Sequence, residues 1–152
     1  MIGDLFGLGR DLARSADVIG QDVLALSEEE EQQVGRELHE LVRQVVPVLE
    51  APSEVARMKQ LAQPILEQRK RLAIDYHFLV LDMAEVNAFA HAGGYVYVSQ
   101  GLLDWVRTDR ELQFVLAHEI AHVDLAHVTK RVTYAARATE VAGTAGAVLT
   151  QL

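Results

Sequence analysis

The chain has 152 residues, half of them hydrophobic, and a formal net charge of −8. This length and composition are typical of a domain with a buried core and exclude a largely disordered chain. The acidic balance argues against binding to a nucleic-acid backbone, which needs clustered lysine and arginine. There is no cysteine, so any metal site must be built from histidine and carboxylate side chains.

Neither end of the chain has the pattern of a secretory signal or of a membrane span. Residues 1–26 are interpreted as an amphipathic segment, and one main domain is expected over residues 27–152. Charged residues interrupt MIGDLFGLGRDLARSADVIG, so it lacks the continuous apolar core of a secretory signal. The last apolar stretch, Val141 to Leu152, is shorter than the roughly 20 residues that span a bilayer. The sequence therefore predicts neither export nor a membrane span, and the compartment stays open.

Two helices are predicted in the first half. Ser27 and Glu30 have the spacing of a capping box, followed by an acidic first turn, which predicts a helix from about Glu28 to Val46. Ser53 is the predicted N-cap of a second helix, which Pro64 should kink or interrupt. Both segments have apolar residues at three- and four-residue spacing, so a scaffold role is expected.

From Ile74 onward the pattern changes to that of a sheet. IDYHFLVLD alternates and is rich in aromatic and branched residues, which predicts a strand. NAFA and YVYVSQ flank HAGG, which predicts two antiparallel strands joined by a glycine turn. GLLDWV is a predicted short helix, and Thr108 with Glu111 begins a long one, from about Asp109 to Arg131. Helices, a small antiparallel sheet and further helices together predict an α+β fold.

The stretch HEIAH, from His118 to His122, lies on this last helix. At 100° per residue, His122 lies about 40° and Glu119 about 100° from His118, so the three side chains project from one arc. The adjoining arc is apolar and consists of Leu112, Leu116, Ile120 and Val123. Two imidazoles four residues apart can bind one zinc ion while the glutamate reaches a water. The pattern predicts His118 and His122 as metal ligands and Glu119 as the general base of a hydrolase.

The run VNAFAHAGGYVYVSQGLL, followed by LAHEIAHVDLAHVTKR, resembles the M48 family of zinc metallopeptidases. The likeness extends over about residues 26–130. It is strongest to the periplasmic quality-control branch, because LSEEEE and VGREL precede the sheet. The resemblance implies a zincin-like core of the gluzincin type, with the active-site helix beneath a small sheet. It also implies Zn²⁺ as cofactor, a polypeptide substrate and a place in the bacterial periplasm or cell envelope.

The same resemblance implies a substrate-binding region. Asn87, Ala88 and Phe89 should lie near the cleft, where an edge strand can pair with an extended peptide. Gly94, in the Gly-Gly-Tyr turn, is assigned to the same group, and His91 is one of two residues that replace a usual Leu-Pro pair. The implied activity is an endopeptidase for extended or misfolded segments, with Glu119 as general base on a zinc-bound water.

A third zinc ligand is not identified by this resemblance. In the family it is a glutamate on a helix well beyond HExxH, so the domain is expected to be incomplete at its C-terminal end. Seventeen residues separate Glu140 from His122, a spacing close to that of other gluzincins, provided that the chain turns back near residues 132–136. His127 should face the apolar arc if the helix continues, and is interpreted as a core histidine. The metzincin pattern would need glycine at 125 and histidine at 128, where Leu125 and Val128 stand.

Two other functions stay open on the sequence. A zincin without its third ligand could be inactive and act as a binding or interaction module, and a zinc-binding sensor without hydrolytic activity is the weaker alternative. His39 and His77 have no partner at ligand spacing and are attributed to surface or strand positions. Trp105, Tyr95 and Tyr97 are attributed to packing. Membrane association and oligomerisation are compatible with the sequence but not encoded in it.

Overall fold

The computed structural model describes residues 26–125, which contain four helices and a four-stranded sheet in a mixed α/β arrangement. In chain order the elements are α1 (Glu28–Val45), β1 (Val48–Leu49), α2 (Pro52–Leu66), β2 (His77–Leu81), β3 (Ala88–His91), β4 (Tyr95–Ser99), α3 (Gln100–Trp105) and α4 (Asp109–Asp124). No helix in this range is long and apolar enough to cross a bilayer. The described residues from 27 onward cluster as one compact unit, and the division into residues 1–26 and 27–152 stays a prediction.

Helix α1 begins with the predicted capping box. The Glu30 amide donates to Ser27 Oγ over 3.2 Å, and the Ser27 amide donates to Glu30 Oε2 over 2.8 Å. Four glutamates occupy its first turn, where the positive end of the helix dipole favours negative charge. The helix ends at Val45, one residue before the predicted end, because the residue before a proline prefers the extended conformation that Val46 adopts.

Helix α2 corrects the prediction for Ser53. The N-cap is Ala51, without a side-chain cap, and Pro52 occupies the first helical position. Proline suits that position because its fixed φ is helical and its missing N–H would have no partner there. Pro64 lies inside the helix, which ends two residues later at Leu66.

The sheet is mixed, so the prediction of a small antiparallel sheet is wrong in part. The strand order is β1-β2-β4-β3, in which β3 and β4 are antiparallel as predicted, whereas β2 and β4 are parallel. After β2 the chain crosses to the far edge of the sheet and forms β3. It then turns back, and β4 lies between β2 and β3. Strand β1, which pairs with β2, was not predicted. A two-residue strand carries too little periodicity to be recognised.

The two faces of β4 have different neighbours. Val96 and Val98 lie in the main core with residues of α2 and α4, including Met58, Leu112 and Leu116. Tyr95 and Tyr97 project to the other face, because successive side chains of a strand alternate. The tyrosine face receives His39 from α1. All five residues of β4 are buried, and it pairs with β2 on one side and with β3 on the other.

Helix α4 has the predicted N-terminal capping box of Thr108 and Glu111. Its predicted apolar arc is confirmed, since each member is at most 2% exposed: Leu112, Leu116, Ile120 and Val123. The helix ends at Asp124, with Leu125 as its C-cap, whereas the prediction extended it to Arg131. Residues 126–131 lie outside the described range.

Candidate functional site

His118 and His122 project from α4 on the side away from its buried arc. Their Nε2 atoms are 3.1 Å apart, and their rings are perpendicular, with an interplanar angle of 88° and a centroid distance of 4.6 Å. Two nitrogen ligands of a tetrahedral zinc, each about 2.0–2.1 Å from the metal, are about 3.3 Å from each other. The spacing of the pair is therefore within a few tenths of an ångström of that needed by two ligands of one zinc ion.

Glu119 follows His118 directly on the same helix. Its side chain is half-buried, and around the helix it lies between the exposed His118 and the edge of the buried arc at Leu112. Because one rigid helix holds the carboxylate and both imidazoles, their relative positions are set by helix geometry. The helix thus presents two imidazole nitrogens and a neighbouring carboxylate on adjacent sides.

The remaining ligand is not found in the described range. Within residues 26–125, no group of three or more histidine, cysteine, aspartate or glutamate side chains converges as a metal site. The two candidates taken from the sequence, His127 and Glu140, lie outside that range. Their roles stay predictions.

Strand β3 lies at one edge of the described sheet and contacts α4. Ala88 and Ala90 pack towards the main core, and their small side chains leave room for the helix. Phe89 projects to the other face and stacks on Tyr97, with ring centroids 4.7 Å apart. Asn87 is held by its backbone, since its amide donates to Ser99 Oγ over 2.9 Å. The structure thus places the edge strand β3 beside α4. The substrate roles of Asn87, Ala88 and Phe89 stay predictions.

Gly94 occupies the turn between β3 and β4. Its φ is +79°, and a Cβ there would lie 2.2 Å from the carbonyl oxygen of Asp75. Both observations require glycine, because other residues rarely adopt positive φ and would collide with the 75 carbonyl. The positive φ and the close packing explain why residue 94 is glycine. Its predicted contact with substrate is a separate role and stays a prediction.

Sequence reasoning missed a cluster of histidines and tyrosines on the far face of the sheet. The Tyr97 hydroxyl lies 2.8 Å from His39 Nδ1 and 2.9 Å from His91 Nε2. Tyr95 stacks on three imidazoles, those of His39, His77 and His91, at centroid distances of 4.9, 4.4 and 5.1 Å. The alternation in YVYVS contained a signal, because it places both tyrosines on one face. Nothing local in the sequence places His39 there.

The hydrogen-bond directions in this cluster follow from its surroundings. His91 Nδ1 lies 2.9 Å from the Ala92 carbonyl, which only accepts, so Nδ1 is the donor. Burial lowers the pKa of His91 to about 4, so near pH 7 its Nε2 carries no proton and accepts from the Tyr97 hydroxyl. His39 Nδ1 then donates to the Tyr97 oxygen. Burial likewise lowers the pKa of His39 and raises the pKa of Tyr97, which keeps both neutral.

The tyrosines were predicted to pack, and both are buried. His77 lies on strand β2, as expected, while His39 is half-buried instead of being a simple surface residue. The packing role predicted for Trp105 is wrong, because its side chain is 65% exposed. It lines an open cavity of about 420 Å³ beside the 82–86 loop.

Comparison with known proteins adds an independent finding. The profile of peptidase family M48 matches residues 32–151. The beta-barrel assembly-enhancing protease of Escherichia coli K12 is 28% identical over 105 residues, 69% of this chain and 22% of that protein. Metalloprotease LoiP of the same strain is 50% identical over 46 residues, 30% of this chain and 18% of that protein. The mitochondrial metalloendopeptidase OMA1 of Bos taurus is 40% identical over 58 residues, 38% of this chain and 11% of that protein. The chain thus spans about a fifth or less of these relatives.

Proposed function

The chain belongs to peptidase family M48, and from this premise we propose that it is a zinc metalloendopeptidase for extended or misfolded protein segments. The observation that carries the proposal is the pair of imidazole nitrogens 3.1 Å apart on α4, with Glu119 beside them. The metalloprotease relatives support the same general activity. Contacts of α4 with β3 and β4 support a zincin-like core.

His118 and His122 would hold the zinc ion through Nε2, and their spacing fits two of its ligands. When bound, zinc lowers the pKa of a coordinated water towards 7 and polarises the scissile carbonyl. Glu140 is retained as the candidate for the third ligand.

Glu119 is assigned the proton transfers of the reaction. As a carboxylate it takes a proton from the attacking water, and as the acid so formed it delivers that proton to the leaving nitrogen. Its place one residue after His118 puts it on the adjoining side of α4, where it can reach a water between the two imidazoles and the substrate.

The substrate is proposed to lie along β3. This strand pairs with β4 on one side, and no strand of the described sheet pairs with its other side. A peptide added there would form main-chain hydrogen bonds near Asn87, Ala88 and Phe89, close to the helix that carries the histidines. Recognition through the backbone does not depend on the substrate's sequence, which suits an enzyme for unfolded segments.

The test is Glu119→Gln in the full chain, with cleavage of an unstructured protein as the assay. The rate should fall by roughly 10²- to 10⁴-fold, because the base is lost. Zinc content should stay unchanged, because both imidazoles remain. Glu40→Gln, at an exposed glutamate of α1, is the matched control and should retain the wild-type rate. A Glu119→Gln protein that cleaves as fast as wild type contradicts the assignment.

A binding or interaction module without hydrolytic activity is the second candidate. It is favoured by the open edge of β3 and by the absence, among the described residues, of a group of three or more side chains that could hold a metal. Such a module would bind an unstructured polypeptide in the presence of zinc and leave it uncut. Localisation in the bacterial periplasm or envelope stays a prediction.

A further inference from the structure

A buried ion pair contacts the C-terminal end of α4 at the residue that follows His122 in the chain. Arg71 Nη1 donates to Glu31 Oε1 over 3.2 Å and to the Val123 carbonyl over 3.0 Å, while its Nη2 pairs with Glu31 Oε2. Glu31 is fully buried, and the side chain of Arg71 is 16% exposed. The guanidinium therefore joins α1 to the residue that follows His122.

The backbone at Arg71 is fastened to the same turn of α4. Asp124 Oδ1 accepts the amides of Lys70 and Arg71 over 2.8 and 2.9 Å. Arg71 thus binds the end of α4 through both its main chain and its side chain. The two attachments fix the orientation of the last turn and its position along the helix axis.

Glu31 extends this network to the turn between β3 and β4. Its Oε1 accepts the Gly93 amide over 3.2 Å. Gly35 lies one turn further along α1, and a Cβ there would lie 2.4 Å from the Ala92 carbonyl, so glycine allows the helix to approach the turn. One carboxylate therefore connects the hairpin that contains the edge strand to the arginine that holds α4.

We propose that Arg71 is a positioning residue for the peptidase site. It holds the last turn of α4, and with it His122, at a defined place relative to the hairpin of β3 and β4. This inference rests on the proposed function. Hydrolysis needs the substrate carbonyl, the base and the metal ligands to be aligned, and a displacement of about 1 Å can lower the rate about a hundredfold. A buried ion pair with fixed hydrogen-bond partners suits this role better than a contribution to stability.

The other end of α4 offers a matched control. Arg57 Nε donates to Asp109 Oδ1 over 2.8 Å, and its Nη1 donates to Glu54 Oε2 over 3.2 Å. It therefore joins α2 to the first turn of the same helix. An arginine thus anchors each end of α4, and the histidines lie near the end that Arg71 holds.

The experiment compares three forms of the full chain with wild type: Arg71→Met, Arg57→Met and the double variant Glu31→Gln/Arg71→Met. Methionine keeps most of the apolar stem, and glutamine still accepts the Gly93 amide. The measurements are Co²⁺ affinity and the visible spectrum of the Co²⁺ form, kcat and KM on an unstructured protein, and amide hydrogen exchange along α4.

Arg71→Met should weaken Co²⁺ binding by about tenfold, shift the spectrum and lower kcat with little change in KM. It should also speed exchange in the last turn of α4. Arg57→Met should leave Co²⁺ affinity and the spectrum unchanged. The double variant removes the unpaired buried carboxylate, so its stability should recover while Co²⁺ affinity and kcat stay low, because Val123 is still not held. It also keeps the test informative if Arg71→Met does not fold.

Recovery of wild-type Co²⁺ affinity and kcat in the double variant, together with its stability, would overturn the proposal. Unchanged exchange in the last turn of the Arg71 variants would overturn it as well. If the wild-type chain neither binds Co²⁺ nor cleaves protein, the proposed function fails. The exchange pattern would still show whether Arg71 holds this end of α4, so the two failures are distinguishable.

Discussion

Two groups of histidines in this chain differ in what surrounds their ring nitrogens. On α4, His118 and His122 lie on the side away from the core, and their Nε2 atoms face each other. On the far face of the sheet, His39 and His91 are bonded to a tyrosine hydroxyl and covered by stacked rings. Imidazoles are thus close together in both groups, whereas only the pair on α4 is proposed to bind a metal. That proposal rests on the exposure of His118 and on two Nε2 atoms that face each other.

The largest effect expected from this comparison concerns zinc. His122→Ala removes a proposed ligand and should weaken Zn²⁺ binding by more than about a hundredfold. His91→Gln changes a histidine of the buried cluster and should leave Zn²⁺ affinity at the wild-type value. Competition with a chromogenic chelator measures both. Equal losses in the two variants would contradict the distinction between the groups.

Glu140→Ala extends the zinc measurement beyond the described residues. If Glu140 is the third ligand, its removal should weaken binding by at least about tenfold. An adjacent change that keeps the charge, Thr139→Ala, is the control. Affinity that is the same in Glu140→Ala and wild type would remove Glu140 from the ligand set.

The histidines on the far face of the sheet should make the free energy of unfolding depend on pH. Burial lowers the pKa of His91 in the folded chain to about 4, below its ordinary value of 6.5. Between pH 4 and pH 6.5 the unfolded chain binds more protons at this histidine than the folded chain does. The contribution of neutral His91 to the free energy of unfolding is therefore complete above pH 6.5 and is lost as the pH falls towards 4. The slope for one proton is at most about 1.4 kcal/mol per pH unit.

Urea denaturation at several pH values measures this slope. His91→Gln can still accept from Tyr97 but does not titrate, so its stability should depend less on pH. The lowered pKa values of His39 and His77 act in the same direction and leave a residual slope. A slope in His91→Gln equal to that of wild type would contradict the role of His91.

The smallest expected effects compare one side chain of each group. Tyr97→Phe removes the hydroxyl that joins His39 to His91 and should lower the free energy of unfolding by about 1–3 kcal/mol, because two partly buried ring nitrogens lose their partner. His118→Ala, at an exposed position, should change it by no more than about 0.5 kcal/mol without metal. Urea denaturation near pH 7 gives both values. A larger loss in His118→Ala than in Tyr97→Phe would reverse the comparison.

Rules that act within one helix explain most of what could be predicted from this sequence. The capping boxes at Ser27 and Thr108 are as expected, because each needs only residues three apart. The buried arc of α4 and the common side of His118 and His122 follow from 100° per residue. Recognition of the M48 family from its ordered motifs agrees with the match over residues 32–151.

Only the tertiary structure decided the features that join distant segments. The parallel pairing of β2 with β4 depends on how the chain crosses the sheet, which strand periodicity does not encode. The contact of His39 with Tyr97, and the links from Arg71 to Glu31 and Val123, join residues 40 to 58 positions apart. The sequence by itself determined that His118, Glu119 and His122 share one arc of α4, because helix geometry is local. Which strand, turn and arginine surround that helix depends on packing between elements, which no local pattern specifies.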